Sequence, residues 1–263
     1  MMATFADIHC HALCHVDDGA KDMELTRAMI DAEYRDGVRY LCFTPHYHPG
    51  YYGLNEERAA HCFAAAVEYA KRYPDLQLAL ANELHYAPEC LAWIREGLCR
   101  RMGNTRCILV DFRQTEEERA IVEGLTRILG GGYIPILAHA ERYDRLRPAT
   151  IRSLKQNGVM VQVNAGSVLA GAVFGNFGGL IGVRARRMLS RQMVDFISTD
   201  AHDLRRRPPN FSSAYGCIAK KYGSEYAQRI CRDHAVSLFF GSTAEAQGEN
   251  DTRNDMSINK GEI

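Results

Sequence analysis

The chain lacks the marks of several large protein classes. No stretch approaches the ~18 consecutive apolar residues of a membrane-spanning helix, so no integral membrane segment is expected. Neither charge sign is in excess: Lys plus Arg is 32 and Asp plus Glu is 32. A general polyanion binder carries a basic surplus, so nucleic acid is not expected as a partner. The nine cysteines are odd in number and include no Cys-x-x-Cys pair. They read as reduced, mostly buried thiols. Residues Met1 to His11 have neither a basic stretch nor an apolar leader core. No secretory signal is read there, and a cytoplasmic location is expected. No internal repeat is visible. What remains is ordinary globular composition, 46% apolar and 24% charged.

Short β-rich runs recur at 4–10, 38–44, 77–83, 106–112, 133–138, 159–163 and 194–199. Amphipathic segments alternate with them at 23–36, 55–72, 88–96, 116–129, 148–157 and 180–191, and two more follow at 211–221 and 223–234. Gly37, Gly97, Gly130 and Gly158 stand where helices need a residue of positive φ. Thr115 with Glu118 reads as a capping box. Seven strand–helix units predict an α/β fold with a closed or nearly closed parallel barrel, a doubly wound sheet being the alternative. The Gly-rich stretch 166–183 is expected to be a loop over one end. Residues 1–243 form one expected domain, and the polar tail 244–263 is expected to be disordered.

The chemistry begins at Asp7-Ile8-His9-Cys10-His11. On a strand, Asp7, His9 and His11 share one face, and such a cluster suits a divalent metal. The other strands end in similar residues: His46 and His48, Glu83 and His85, Asp111, His139 with Glu141 and Arg142, Asn164, and Asp200 with His202. In a (β/α) barrel these ends open on one face, where active sites sit. A multinuclear metal site is therefore expected. His48 and His85 read as surface or supporting residues, Asn164 as one that orders the loop, and His61 and His234 as structural ones.

Asp18, Glu83, Asp111 and Asp200 would bring four negative charges to this mouth. Three divalent cations, a bridging hydroxide, Arg142 and an arginine from 205–207 leave a surplus of roughly three positive charges, suited to a phosphate dianion. The expected reaction is in-line attack of the bridging hydroxide on phosphorus, with arginine forks taking the phosphoryl oxygens. Cys107 and Arg113 have the Cys-x5-Arg spacing of cysteine-dependent phosphatases. The residues between them, Ile-Leu-Val-Asp-Phe, read as a strand whose amides belong to a ladder, so a cysteine mechanism is not expected.

The ordered motifs DIHCH, DDGAKD at 17–22, TPH at 44–46, NEL at 82–84, AHAERYD at 138–144, QVNAGS at 162–167 and STDAHDL with RRPPN at 198–210 resemble the PHP (polymerase and histidinol phosphatase) superfamily. More narrowly, they are similar to bacterial manganese-dependent protein-tyrosine phosphatases of the CpsB/YwqE type. The resemblance spans residues 5 to about 240. It implies a distorted (β/α)7 TIM-like barrel (PHP fold) with three divalent metal ions, Mn2+ by resemblance and Fe or Zn by donor chemistry. It implies one ion on His9, His11, Glu83 and Asp200. Glu83 bridges to a second ion with Asp111 and His139, and Asp18, His46 and His202 hold the third. Arg142 and Arg207 bind phosphate. The chain departs from the family pattern at Asp111, where Glu is usual, and at Cys14-His15, where Pro-Gly is usual.

The implied substrate is phosphotyrosine in proteins, notably a bacterial tyrosine kinase of capsular or exopolysaccharide biosynthesis. Tyr47, Tyr51 and Tyr52 are candidates for an apolar wall beside it, or ordinary loop aromatics. A small-molecule phosphomonoesterase acting on histidinol phosphate is the alternative on the same scaffold. An amidohydrolase would want a bridging lysine near position 111, which is absent. A vestigial, partner-binding site conflicts with the complete ligand set.

Overall fold

The structure, a computed structural model, describes residues 3–52, 55–170 and 178–241. The expected disordered tail, 244–263, lies outside the described residues. Among the described residues nine strands form: β1 Phe5–Cys10, β2 Val38–Phe43, β3 His46–Tyr47, β4 Gln77–Leu80, β5 Glu83–His85, β6 Cys107–Asp111, β7 Ile134–Leu137, β8 Met160–Asn164 and β9 Phe196–Ser198. Their ladders are all parallel, in the orders β1-β2-β4 and β3-β5-β6-β7-β8-β9.

These nine are the seven expected staves, two of them broken. The second breaks at Thr44-Pro45 and the third at Ala81-Asn82. Pro45 has no N–H to give to a ladder. Its carbonyl instead accepts from the Glu83 amide at 3.2 Å and the Asn82 side chain at 3.0 Å. The last stave returns to the first through a parallel bridge, Cys10 to Ala201. There His11 N–H donates to the Ala201 carbonyl and Asp200 N–H to the His9 carbonyl, both at 2.8 Å. The result is a distorted seven-stave barrel rather than a doubly wound sheet.

Among the described residues, nine α-helices alternate with the staves or follow them: α1 Met23–Arg35, α2 Glu56–Ala70, α3 Cys90–Arg95, α4 Glu118–Gly130, α5 Pro148–Gln156, α6 Ala165–Leu169, α7 Gly178–Ser190, α8 Phe211–Tyr222 and α9 Ser224–Gln228. Asp22 and Asn55 cap α1 and α2 by accepting the amides of Leu25 and Arg58. Among the described residues, no helix is long and apolar enough to cross a membrane.

Three local expectations fail. The Thr115 capping box does not form, because Glu117 is the cap residue of α4 and Glu118 instead takes Arg147. Gly130 ends α4 inside the helix, and Gly132, at φ 88°, makes the left-handed turn. The Gly-rich stretch is not simply a loop: α6 occupies its start and α7 begins at Gly178, while 171–177 lie outside the described residues.

The barrel interior is filled, not open. Ala6, Ile8, Cys42, Ala81, Leu109, Ile136, Ala138 and Phe196 pack together, and Phe239 and Phe240 from the helical turns after α9 join them. The larger apolar cluster lies between staves and helices, with Leu41, Phe43, Val110, Val161 and Ile197 among its strand residues. Cys107 is buried in the inner cluster and pairs in the β6 ladder, as expected of a core thiol. With one end plugged, the strand C-termini carry the accessible mouth.

Candidate metal centre

β1 presents its histidines through an irregularity. Its register with β2 shifts between Asp7 and Cys10, and such a bulge resets the alternation of faces. Ala6 and Ile8 therefore point into the barrel. Asp7 and Cys10 instead meet Glu33 of α1 on the outside. The expectation that Asp7 shares the face of His9 and His11 is corrected. Asp7 accepts from the His9 amide at 3.1 Å and, with Glu33, from the Thr199 hydroxyl. Burial raises the carboxyl of Asp7 to about 6 and that of Glu33 further above its ordinary value. This acid pair lies behind the mouth and is not part of it.

At the mouth, the Glu83 carboxylate is the hub, and it is fully buried. Its Oε2 has His46 Nδ1 at 2.8 Å, His11 Nε2 at 3.2 Å and His9 Nε2 at 3.3 Å. Its Oε1 has His139 Nε2 at 2.9 Å. Asp200 Oδ1 lies 3.4 Å from His9 Nε2 and 3.5 Å from His11 Nε2. Asp18 Oδ1 lies 3.3 Å from His46 and 3.5 Å from His202.

Among the described residues, four groups here bring donor atoms within 4.8 Å of one another: His11, Asp18, His46 and His202; His9, His11 and Glu83; His9, His139 and Asp200; and Glu83, Asp111 and His139. The nine residues that the resemblance implies as ligands all fall in these groups. Arg142 and Arg207 also arrive, both pairing with Asp200 Oδ2, the first at 2.9 Å.

An outer layer aims these groups. Asp17 Oδ2 accepts from His11 Nδ1 at 2.7 Å and from the His46 amide at 3.0 Å, leaving His11 Nε2 free toward Glu83. Gln162 Oε1 accepts from the His139 amide at 2.6 Å and faces His9 Nδ1 at 3.2 Å. Its amide donates to Asn164, whose own amide donates to Asp200. Arg184 holds the carbonyls of Glu141 and Arg142. Asp17, Gln162 and Arg184 were not singled out from sequence. Only the doubled acid of Asp17-Asp18 offered a signal. Asn164 does more than order a loop.

Two ligand-type residues, His139 at φ 32° and Asp200 at φ 53°, take left-handed backbone that non-glycine residues rarely adopt. Both stand just past strand ends and aim their side chains at the hub, a placement where local strain serves function. Tyr47 turns away to Trp93, Tyr52 stacks on His46 with centroids 5.1 Å apart, and Tyr51 is exposed.

The electrostatics are those of a concentrated donor set. Burial opposes charge on Glu83, but the charges of His9 and His46 hold it well below the ordinary carboxylate range. Asp200 is likewise held low against burial by His9, Arg142 and Arg207. Burial opposes protonation of His11, yet the Asp17 carboxylate raises it to about 9. His46 is pushed up to about 11, the Glu83 charge overcoming burial. Glu83 Oε2, His139 Nδ1 and His202 Nε2 are buried without an aligned hydrogen bond. Such orphans beside converging imidazoles fit divalent cations, which take N and O donors without needing their protons.

Fold and site together define a (β/α) barrel with candidate metal-ligand groups at the C-terminal ends of its strands. The chain belongs to the family described as capsular polysaccharide synthesis, CpsB/CapC, whose model matches residues 5–239. It is 35% identical over 231 residues to the tyrosine-protein phosphatase CpsB of Streptococcus pneumoniae, covering 87% of this chain and 95% of that protein. It is 29% identical over 242 residues to the tyrosine-protein phosphatase YwqE of Bacillus subtilis, covering 88% and 91%. A solved structure from work on YwqE of Bacillus subtilis and CpsB of Streptococcus pneumoniae, described as unique metal-dependent tyrosine phosphatases, superposes with a TM-score of 0.79 at 26% identity, covering 90% and 95%. The phosphotriesterase homology protein of Escherichia coli shares the fold alone, with a TM-score of 0.59 at 11% identity, covering 90% and 99%.

Two predictions follow from this geometry. A Cβ on Gly19 would sit 1.9 Å from the His11 carbonyl oxygen, so Gly19→Ala must push away the loop carrying Asp17 and Asp18. It is expected to lower divalent-metal affinity at least about tenfold, as loss of outer support does; calorimetry showing wild-type affinity would refute this. His11 and His46 sit above their ordinary value, so the metal-free chain holds protons on them at pH 8. Metal ligation requires deprotonated imidazole. Titration with divalent metal in two buffers of different ionisation enthalpy should therefore show net proton release, and zero release would contradict the ligand roles.

Proposed function

We propose that this chain is a metal-dependent tyrosine-protein phosphatase that binds three divalent cations, with manganese as the resident metal. The observation that carries the reading is the convergence of nine ligand-type residues in overlapping groups, with the buried Glu83 carboxylate among them and two arginines on Asp200. His9, His11, Glu83 and Asp200 would hold one cation. Glu83, Asp111 and His139 would hold the second, and Asp18, His46 and His202 the third. Bound divalent cations supply hydroxide near neutral pH and positive charge at phosphoryl oxygens.

The chain's own residues do the rest. Arg142 is presented by the short turn Ala140–Arg142, whose backbone Arg184 clamps. Arg207 is presented by a loop in which the Asp203 carboxylate accepts the amides of Arg205 and Arg206. Their guanidinium forks take phosphate oxygens in pairs, which lysine does not do. Asn164 and the two arginines hold Asp200 in one orientation. A phenolate leaves more readily than an alkoxide, since tyrosine has a pKa of ~10. The reaction therefore asks little of a general acid. The family's description with capsular polysaccharide synthesis supports a tyrosine kinase of that process as the substrate protein; the proposed place of action is the cytoplasm.

The reading is tested by hydrolysis of a phosphotyrosine peptide and of histidinol phosphate, with added Mn2+ and with chelator. The peptide should be turned over faster, and chelator should abolish turnover. Preference for histidinol phosphate would favour a small-molecule phosphatase, and chelator-resistant activity would remove the metal mechanism. Arg142→Ala should cut turnover by about 10²–10³-fold, as loss of one oxyanion donor does, while bound metal stays near wild type. Cys107→Ser should leave turnover within about twofold; its inactivation would restore the cysteine mechanism.

A further inference from the structure

The second ligand group, Glu83, Asp111 and His139, has an unequal member. Glu83 stands opposite Leu109 in the β5–β6 ladder, whereas Asp111 stands opposite His85, one pleat further toward the rim. The outermost acid is thus also the shorter one, by one methylene. It must reach back to meet Glu83 and His139, and a free Asp side chain at a strand end has several rotamers in which it does not.

His85 removes that freedom. It lies two residues after Glu83 on β5, on the same face. Its Nδ1 sits 3.0 Å from one oxygen of Asp111 and 3.2 Å from the other, spanning the carboxylate. The imidazole is itself held. His48 stacks on it with centroids 4.1 Å apart and planes 27° apart, and Tyr51 stacks on His48 at 5.3 Å. His85 falls in none of the ligand groups among the described residues. Its contact is with the ligand, not with the cation position.

We propose that His85 is a positioning residue for the second cation site, orienting the short Asp111 carboxylate toward Glu83 and His139. The inference rests on the three-cation reading. His48 stiffens the support from behind, so the column Tyr51–His48–His85 ties the loop after β3 to that site. This arrangement is a carboxylate–histidine pair in which the acid is the ligand and the imidazole its outer support.

The test is metal content and affinity of the full chain loaded with Mn2+, read by mass spectrometry of bound metal and by calorimetry. Wild type should retain about three equivalents. His85→Ala should weaken one of them by roughly ten- to hundredfold, as loss of outer support does, and leave two unchanged. His85→Asn keeps a donor near the Nδ1 position and should retain wild-type affinity. In the His85→Ala background, Asp111→Glu lengthens the acid and should restore the lost equivalent. Three unchanged equivalents in His85→Ala would overturn the inference, as would failure of both His85→Asn and Asp111→Glu to preserve the site. Wild type binding two or fewer would instead overturn the three-cation reading, and the inference with it.

Discussion

Everything at the mouth of this barrel depends on one buried carboxylate. Glu83 is surrounded by four imidazoles, and both of its oxygens face nitrogen within 3.3 Å. A lone carboxylate in such a place would take up a proton. Here positive charge is supplied by protonated histidines or by the cations that the donor set suits. The same field holds Asp200 and Asp18 ionised. Protons and divalent metal thus compete for one set of groups, which couples metal loading to pH.

The barrel makes that concentration of charge affordable by placing it at one end of a packed core. Small residues, Ala6, Ala81 and Ala138, let the staves close over Leu109, Ile136 and Phe196. Breaks at Pro45 and Asn82 bend two staves, so that His46 and Glu83 begin new short strands next to each other and pair in register. The distortion is therefore what brings a histidine of one stave to the hub residue of the next. A regular barrel would space these groups by continuous ladders.

Around the ligands lies a layer of groups that fix orientation. Asp17 sets the tautomer of His11, and Gln162 serves His9 and His139 together. Asn164 passes the chain of hydrogen bonds on to Asp200. Preorganisation of this kind holds reacting groups where charge develops, so little reorganisation is left for the reaction itself. Asp111 stands on the rim, apart from these shared supports, with His85 against its carboxylate.

The alternation of strand and helix, and the acids and histidines at strand ends, were legible in the linear order. Hydrophobic period is local and survives in any context, and the parallel ladders bring all strand C-termini to one face. The break at Pro45 was visible as a residue type but not as a bend. The bulge that turns Asp7 outward was not legible, because it depends on the register with β2. Gln162 and Arg184 were hidden for a similar reason: their hydrogen bonds cross long sequence separations. Asp17 lies only six residues from His11, but the turn that brings them together is set by the fold. Sequence by itself determined which residue types the mouth carries, since the strand ends fall at set places in the pattern. Tertiary structure alone decided which of them meet, because distances between staves are set by packing, bends and register.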